Sequence, residues 1–240
     1  MNPKIFTYWE GVKPPYISLC ESIILTKTKD IFDYIQVNDS NLFDYLPKES
    51  FVENFFKLTP NHRSDYLRCA LLLKHGGTWL DADQILVSDL SDIVILLNTF
   101  DYIAYEWEPL TPSGGFIASH KDCILLQKWK EKMDFLLESR FKFAWEELAY
   151  TTMHPILKEW VNAKVLRYYA FKPRSSFAPI YWSDWGQFFL TDRIVDDADL
   201  HSVMLYNSQF PDWFKMMPVE EILSKDYAIS KLFRKHMSKS

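Results

Sequence analysis

The chain has 240 residues, a net charge of −5 and 48% apolar residues, enough to bury a full core in one domain. This acidic balance argues against a nucleic-acid-binding protein, whose binding face normally shows a basic excess. Cys20, Cys69 and Cys123 lie far apart in apolar surroundings, which predicts reduced core thiols and a cytoplasmic setting. No apolar run reaches the roughly 18 residues of a membrane helix, so we expect a soluble or peripheral protein.

The first quarter of the chain alternates between strand-like and helix-like patterns. Residues 5–9 form a buried-strand pattern, and Pro14-Pro15 opens a helix over about 16–27. The elements expected next are a strand over 31–37, a short helix near 42–46 and a helical aromatic segment over 51–58. Strands separated by helices in this rhythm predict an α/β architecture with a mainly parallel sheet.

The stretch from Ser64 to Leu90 is the part around which the chain is organised. It predicts a helix capped by Ser64 or Asn61 and stopped by Gly76-Gly77, where a glycine can adopt the left-handed conformation. Short strands are expected over 78–80 and 85–87, with Asp81-Ala82-Asp83 between them. In extended chain, residues two apart point to the same side, so the two aspartates can face one point.

The remaining elements are expected in a second α/β series with a small helical insertion. They are a helix over 91–97, a strand over 102–105, a loop over 112–115, a strand over 116–118, a long helix over 122–139, the insertion helices over 144–150 and 156–162, a strand over 165–169, a loop over 173–179, a short aromatic helix within 181–190 and a strand over 203–206. Residues 216–240 form a basic C-terminal helix whose polar face is either simply solvated or docks on an anionic membrane surface.

The Asp81-x-Asp83 pair suits a hard divalent cation. Carboxylate oxygens bind Mn²⁺ or Mg²⁺, and one or two carboxylates plus phosphate oxygens of a substrate are a usual arrangement. The tripeptide alone also arises by chance and often only caps a turn. Asp65 and Arg68 lie three apart on the preceding helix, so they share a face, either as part of a site or as a surface ion pair.

The combined motif resembles a known family. Ser64-Asp65-x-x-Arg68 followed by Gly76-Gly77-x-Trp79-Leu80-Asp81-x-Asp83 is similar to the signature of glycosyltransferase family 32. That type includes bacterial capsular polysaccharide glycosyltransferases, fungal initiating mannosyltransferases and, more distantly, clostridial glucosylating toxins. The N-terminal Ile5-Phe6-Thr7-Tyr8-Trp9-Glu10-Gly11 also resembles its opening strand. The resemblance implies a GT-A, Rossmann-like fold over about residues 4–210.

The resemblance also implies roles for individual residues. Asp65 and Arg68 would act at the sugar and diphosphate of the donor, and Asp81 would contact the ribose and sugar hydroxyls. Asp83 would be the direct metal ligand. The remaining donor contacts would come from Tyr8 and Trp9 against the nucleotide base and from Gly76 and Gly77, where backbone can approach closely. Trp9 is equally compatible with a core position on a central strand.

The late segment departs from the family pattern. Where a histidine is expected, residues 203–210 place Met204, and a thioether is a poor ligand for Mn²⁺. Asn207 or Ser208 would then complete the metal shell, or His201 would do so after a register shift, or metal binding is weak.

We therefore expect a retaining, metal-dependent glycosyltransferase. It would move a sugar from a UDP- or GDP-linked donor to a hydroxyl of a growing surface polysaccharide, as a glycan or a lipid-linked glycan. We expect a cytoplasmic protein, either free in the cytoplasm or at the inner face of the membrane. Nucleic acid is not an expected partner. Two alternatives stay open. One is a non-catalytic protein that binds nucleotide sugars or glycans. The other is a metal-dependent phosphohydrolase, which would have threonine or valine two residues after the second aspartate, a pattern that Ile85 fits only loosely.

Overall fold

The structure is a computed structural model that describes residues 2–171, 173–195 and 198–237. The chain divides into two compact units, and the expectation of a single domain stays a prediction. Unit 1 comprises Met1–Glu10, Ile35–Asp81 and Asp92–Phe171, and unit 2 comprises Gly11–Tyr34, Ala82–Ser91 and Lys172–Ser240. Asp81 therefore closes a segment of unit 1, whereas Asp83 belongs to unit 2.

The strands of the described residues form two sheets. They are β1 (Lys4–Tyr8), β2 (Asp33–Val37), β3 (Gly77–Leu80), β4 (Gln84–Leu86), β5 (Tyr102–Glu108), β6 (Thr111–Ser119), β7 (Tyr168–Phe171) and β8 (Ser202–Met204). The larger sheet has the order β2-β1-β3-β6-β5-β7, and β4 pairs with β8. β1 pairs in parallel with β3, and β5 with β7, whereas β6 runs antiparallel to β3 and β5. The predicted α/β architecture is confirmed.

The helices lie close to their predicted positions. They are α1 (Pro15–Thr28), α2 (Leu42–Tyr45), α3 (Pro60–His75), α4 (Ser91–Leu97), α5 (Ile124–Ser139), α6 (Thr152–Asn162), α7 (Asp212–Lys215), α8 (Val219–Ser224) and α9 (Ala228–Met237). Short 3₁₀ turns cover Lys48–Ser50, Glu53–Lys57, Arg174–Ser176 and Trp182–Phe189, and a π-helical turn at Glu147–Thr151 leads into α6.

The helix that carries Asp65 and Arg68 begins earlier than predicted. α3 starts at Pro60 with Thr59 at the capping position, so Ser64 lies inside the helix rather than at its start. Proline suits the first helical turn because that turn does not need its N–H. The predicted glycine stop is confirmed, since Gly76 has φ +67°. α3 packs with α5 over the apolar core of unit 1, which includes the fully buried Trp79.

The segment over 112–115 is strand rather than the predicted loop. β6 runs continuously from Thr111 to Ser119, so the Pro-Ser-Gly-Gly sequence lies within it. The pairing of β6 with β5 is irregular next to Glu106 and Glu108. Such irregularities bend a strand, and they occur where proline and glycine weaken regular pairing.

In unit 2, α1 packs against β4 and α9. The C-terminal region, predicted as one basic helix over 216–240, forms α8 and α9 within its described part, and residues 238–240 lie outside the described residues. The apolar face of α9 is buried, with Ile229 and Phe233 fully covered. Arg234 donates to the carbonyls of Leu223 and Lys225, and Lys231 pairs with Asp226. This packing therefore gives no support to the alternative of membrane contact.

Two further expectations concern cysteines and membrane spans. Cys20, Cys69 and Cys123 are buried free thiols, as predicted. None of the helices in the described ranges combines the length and the apolar character that crossing a membrane requires.

Candidate active site

Arg68 is the centre of a buried charged cluster in unit 1. It is 7% exposed, and its Nη2 lies 3.3 Å from Asp65 Oδ1 and 3.3 Å from Asp81 Oδ1. The same nitrogen donates to Ser64 Oγ at 3.1 Å. Two carboxylates from a helix and a strand end thus share one guanidinium, and the three catalytic candidates of unit 1 lie together.

Asp81 is held in place from several sides. Its backbone N–H donates to Gly115 O at 2.9 Å, and its Oδ1 accepts a hydrogen bond of 2.9 Å from Trp79 Nε1. The Arg68 guanidinium carbon lies 5.5 Å from the centre of the Trp79 ring. The carboxylate therefore has a fixed orientation at the end of β3, as contact with a substrate hydroxyl requires.

Asp65 is the most perturbed carboxyl group of this cluster. Its pKa is raised to about 7, chiefly by burial; the Arg68 charge lowers it in part, and the Asp81 charge adds to the rise. Its proton is thus gained or lost near neutral pH. The charge of the cluster changes with it, because an ionised Asp65 leaves two carboxylates for one guanidinium.

The two aromatic residues at the end of β1 differ in their surroundings. Tyr8 is buried, and its hydroxyl donates to Asp39 Oδ1 at 2.8 Å, while Arg63 pairs with the other oxygen of Asp39. Its hydroxyl is thus held by the protein, and the predicted base contact at Tyr8 stays a prediction. Trp9 is half-buried, and within the described ranges its buried Nε1 has no hydrogen-bond partner. Trp9 therefore remains the better candidate for a donor contact.

Gly76 and Gly77 lie where protein backbone approaches closely. A Cβ on Gly77, where φ is +99°, would lie 2.4 Å from Lys4 O of β1. A Cβ on Gly76 would lie 2.7 Å from Lys121 N. Both positions are at the start of β3, and its far end, at Asp81, is roughly 13 Å away at the usual strand rise. Both positions therefore require a glycine for backbone packing, and the predicted donor contact at Gly76 and Gly77 stays a prediction.

Asp83 is the centre of a second polar cluster, in unit 2. Its Oδ2 accepts a 2.7 Å hydrogen bond from the backbone N–H of Asn207. The side-chain oxygen Oδ1 of Asn207 accepts from the Tyr16 hydroxyl. Burial raises the pKa of Tyr16 well above its ordinary value and the Asp83 charge adds to this, so Tyr16 remains a donor.

The late segment has a definite register. Met204 is buried in β8, opposite Gln84, and Asn207 is the residue that contacts Asp83. Ser208 is exposed. The His201 ring stacks on Phe177, with centroids 4.8 Å apart. Among the three predicted alternatives for completing the metal shell, Asn207 is therefore the one with a contact to Asp83.

The donor chemistry of this second cluster fits Mn²⁺ or Mg²⁺ in part. Asp83 and Asn207 offer a carboxylate and an amide oxygen, which are hard ligands, and the backbone hydrogen bond keeps them adjacent. Across the described part of the chain, no group of three or more His, Cys, Asp or Glu side chains could hold a metal. The protein would thus supply few ligands, and water or substrate oxygens would supply the others.

Sequence reasoning missed the residues that accompany these clusters. Gly114 lies against the Arg68 guanidinium. In unit 2, the guanidinium carbon of Arg174 lies 5.0 Å from the centre of the half-exposed Tyr181 ring. Burial raises the pKa of Tyr206, and the charges of Arg174 and Asp83 act on it in opposite directions, so both lie near this phenol. Only contacts distant in sequence could have revealed these residues.

Comparison with known proteins gives the family and the fold. The model of the family described as capsular polysaccharide synthesis protein matches residues 1–133. No curated protein matches the chain. The solved glycosyltransferase GlyE of Streptococcus pneumoniae TIGR4 is 13% identical, with a TM-score of 0.54, and the match covers 100% of this chain and 61% of that one. The bifunctional glycosyltransferase WbbM is 7% identical, with a TM-score of 0.55, covering 100% of this chain and 50% of that one.

At these identities the structural likeness shows the fold alone, and it confirms the expected GT-A fold. The chain spans only 61% of GlyE and 50% of WbbM. The match to the family model shows more than the fold, because it extends over more than half of the 240 residues. The matched region includes Asp65, Arg68, Asp81 and Asp83. The chain belongs to the capsular polysaccharide synthesis protein family.

Proposed function

We propose that this chain is a retaining glycosyltransferase that moves a sugar from a UDP- or GDP-linked donor to a hydroxyl of a growing surface polysaccharide. The observation that carries the proposal is the buried cluster of Arg68 with Asp65 and Asp81 at the end of β3. Burying a guanidinium between two carboxylates carries a desolvation penalty and is therefore weak evidence for a role in stability. A role in the reaction explains this arrangement better. The family and the GT-A fold support the same reaction class.

In this proposal Asp81 orients the transferred sugar through its hydroxyls, and Arg68 holds Asp81 in position. The bond from the anomeric carbon to the donor phosphate breaks, and the acceptor oxygen bonds to that carbon from the same face. The departing phosphate takes the proton of the acceptor hydroxyl, so no separate base is required. Trp9 is the candidate for contact with the nucleotide base.

Asp83 and Asn207 would hold the Mn²⁺ or Mg²⁺ ion. When bound, such an ion stabilises negative charge on the diphosphate leaving group. Arg174 adds a positive charge near Tyr206, on which the Asp83 charge also acts. The chain's own contribution in unit 2 is therefore to orient the Asp83 carboxylate through the Asn207 backbone and to place a guanidinium near Tyr206.

The proposal is tested with a panel of UDP- and GDP-sugars in the presence of Mn²⁺, by following slow donor hydrolysis and sugar transfer. We expect one donor to be turned over, with a loss of about 100-fold or more in Asp83→Ala. Asp33→Ala, which removes an exposed carboxylate on β2, serves as the matched control and should retain activity.

Three other results would contradict the proposal, each in a different way. Donor binding without turnover, unaffected by chelator, would indicate a non-catalytic binding protein. Release of phosphate without sugar transfer would indicate a phosphohydrolase. Failure to bind any donor, with or without metal, would limit the resemblance to the fold.

A further inference from the structure

We propose that Gly114 is a positioning residue of this site: because it has no side chain, the Arg68 guanidinium can lie against β6 while it holds Asp65 and Asp81. The role in catalysis rests on the function proposed above. The packing of Gly114 against Arg68 does not depend on that function, because it concerns only contacts within unit 1.

The space beside Gly114 is filled by Arg68. A Cβ at position 114 would lie 1.9 Å from Arg68 Nη1, 3.1 Å from Cζ and 3.8 Å from Cδ. Non-bonded heavy atoms normally stay about 3.5 Å or more apart. The backbone of Gly114 is outside the left-handed region, so the position needs space rather than an unusual conformation. Any other residue would place its Cβ where the guanidinium now lies.

Three elements meet at this point. Arg68 comes from α3, and Asp81 directly follows β3. β6 runs antiparallel to β3, with Phe116 opposite Leu80, and Gly115 O then accepts the Asp81 N–H. Gly114 is the next residue of β6 beyond this hydrogen bond. The strand thus forms a wall beside Asp81, and Gly114 is the point in it that accommodates a guanidinium.

Arg68 has little room to move elsewhere. It is 7% exposed, and its guanidinium lies near the Trp79 ring, which itself donates to Asp81. A Cβ at position 114 would have to displace Nη1 by about 1.6 Å, from 1.9 Å to the ordinary contact distance of about 3.5 Å. The 3.3 Å contacts with Asp65 and Asp81 would not survive such a shift, because both are made by the other terminal nitrogen of the same rigid group.

The test is a double-mutant cycle with Gly114→Ala and Arg68→Lys. A misplacement of about 1 Å in catalytic machinery can cost 10²-fold, so we expect Gly114→Ala to lower kcat/KM by roughly 100-fold in the Arg68 protein. Lysine lacks the forked nitrogens that overlap the new Cβ. In the Arg68→Lys background, Gly114→Ala should therefore add less than about threefold to the loss that the lysine already causes.

Gly186→Ala is the matched control, because a Cβ there has no atom within 4 Å. We expect it to keep the wild-type kcat/KM and Tm. Equal losses from Gly114→Ala in both backgrounds, or a Gly114→Ala enzyme within about twofold of wild type, would overturn the proposal.

Measuring Tm for the variants of the same double-mutant cycle tests the role of Gly114 independently of the proposed function. Gly114→Ala should lower Tm in the Arg68 protein and much less in the Arg68→Lys protein, whether or not the wild type turns over any donor. If the wild type is inactive but the Tm cycle shows this dependence on residue 68, the glycosyltransferase proposal fails and the packing of Gly114 stands. If Tm falls equally in both backgrounds, the role assigned to Gly114 is refuted.

Discussion

Replacing Asp65 with asparagine is expected to change how the stability of the protein depends on pH. Burial raises the pKa of Asp65 from its ordinary value of 3.8 to about 7. The folded protein therefore binds a proton at Asp65 at pH values where the unfolded chain has released it. By linkage, the stability that Asp65 contributes is fully present below about pH 4 and is lost as the pH rises through 7.

The size of the effect follows from the shift. Each pKa unit corresponds to 1.36 kcal/mol, so a shift of about three units gives an upper limit of about 4 kcal/mol. Arg68, 3.3 Å away, stabilises the ionised form and is already part of this balance. Asparagine has no proton to gain, so Asp65→Asn removes this pH dependence while keeping the size of the side chain.

The assay is urea unfolding of the wild type and Asp65→Asn at half-unit steps from pH 4.5 to pH 8.5. We expect the free energy of unfolding of the wild type to fall relative to that of the variant by about 3 kcal/mol over this range, in a steady decline up to about pH 7 that levels off above it. Parallel curves would show that Asp65 titrates normally in the folded state. They would refute the argument that burial, rather than Arg68, dominates its pKa.

Three further predictions concern contacts outside the Asp65–Arg68 ion pair. Gly77→Ala should lower the free energy of unfolding by about 3 kcal/mol in urea titrations, because its Cβ would meet Lys4 O at 2.4 Å in a left-handed backbone, whereas Gly186→Ala should change it little. Tyr8→Phe removes the 2.8 Å hydrogen bond to Asp39 and should cost about 1 kcal/mol by the same measurement, since Arg63 still pairs with Asp39. Tyr16→Phe frees the Asn207 side-chain oxygen that the phenol now orients, and should weaken Mn²⁺ binding about tenfold in calorimetry; unchanged affinity would show that Asn207 is not a ligand.

Local sequence predicted the parts of the site that depend on local geometry. Asp65 and Arg68 were expected to share a helical face because they are three residues apart, and they form an ion pair in α3. Gly76 was expected to end that helix in the left-handed conformation, and it does. Helical periodicity and the freedom of glycine decide both features, and neither depends on the rest of the chain.

Features that depend on distant contacts could not be predicted in this way. Proline, serine and two glycines over 112–115 are typical of a turn, yet pairing with neighbouring strands makes the segment part of β6. The reason for a glycine there, the Arg68 guanidinium, lies 46 positions earlier in the sequence. At Gly76 and Gly77, likewise, the atoms that exclude a side chain belong to distant residues, Lys121 and Lys4, so local sequence does not reveal this packing.

The late segment shows how a site can tolerate Met204 where histidine was expected. Leu205 donates its N–H to Asp83 O, and Asn207 donates its N–H to Asp83 Oδ2, so this segment holds Asp83 through the backbone. Tyr206, between them, has φ +58°, which is unusual for a bulky residue, and its hydroxyl donates to Ile180 O. Such a conformation persists only when its surroundings enforce it. The left-handed turn at Tyr206 directs the Asn207 N–H to the carboxylate, so the orientation of Asp83 does not depend on the side chain at position 204.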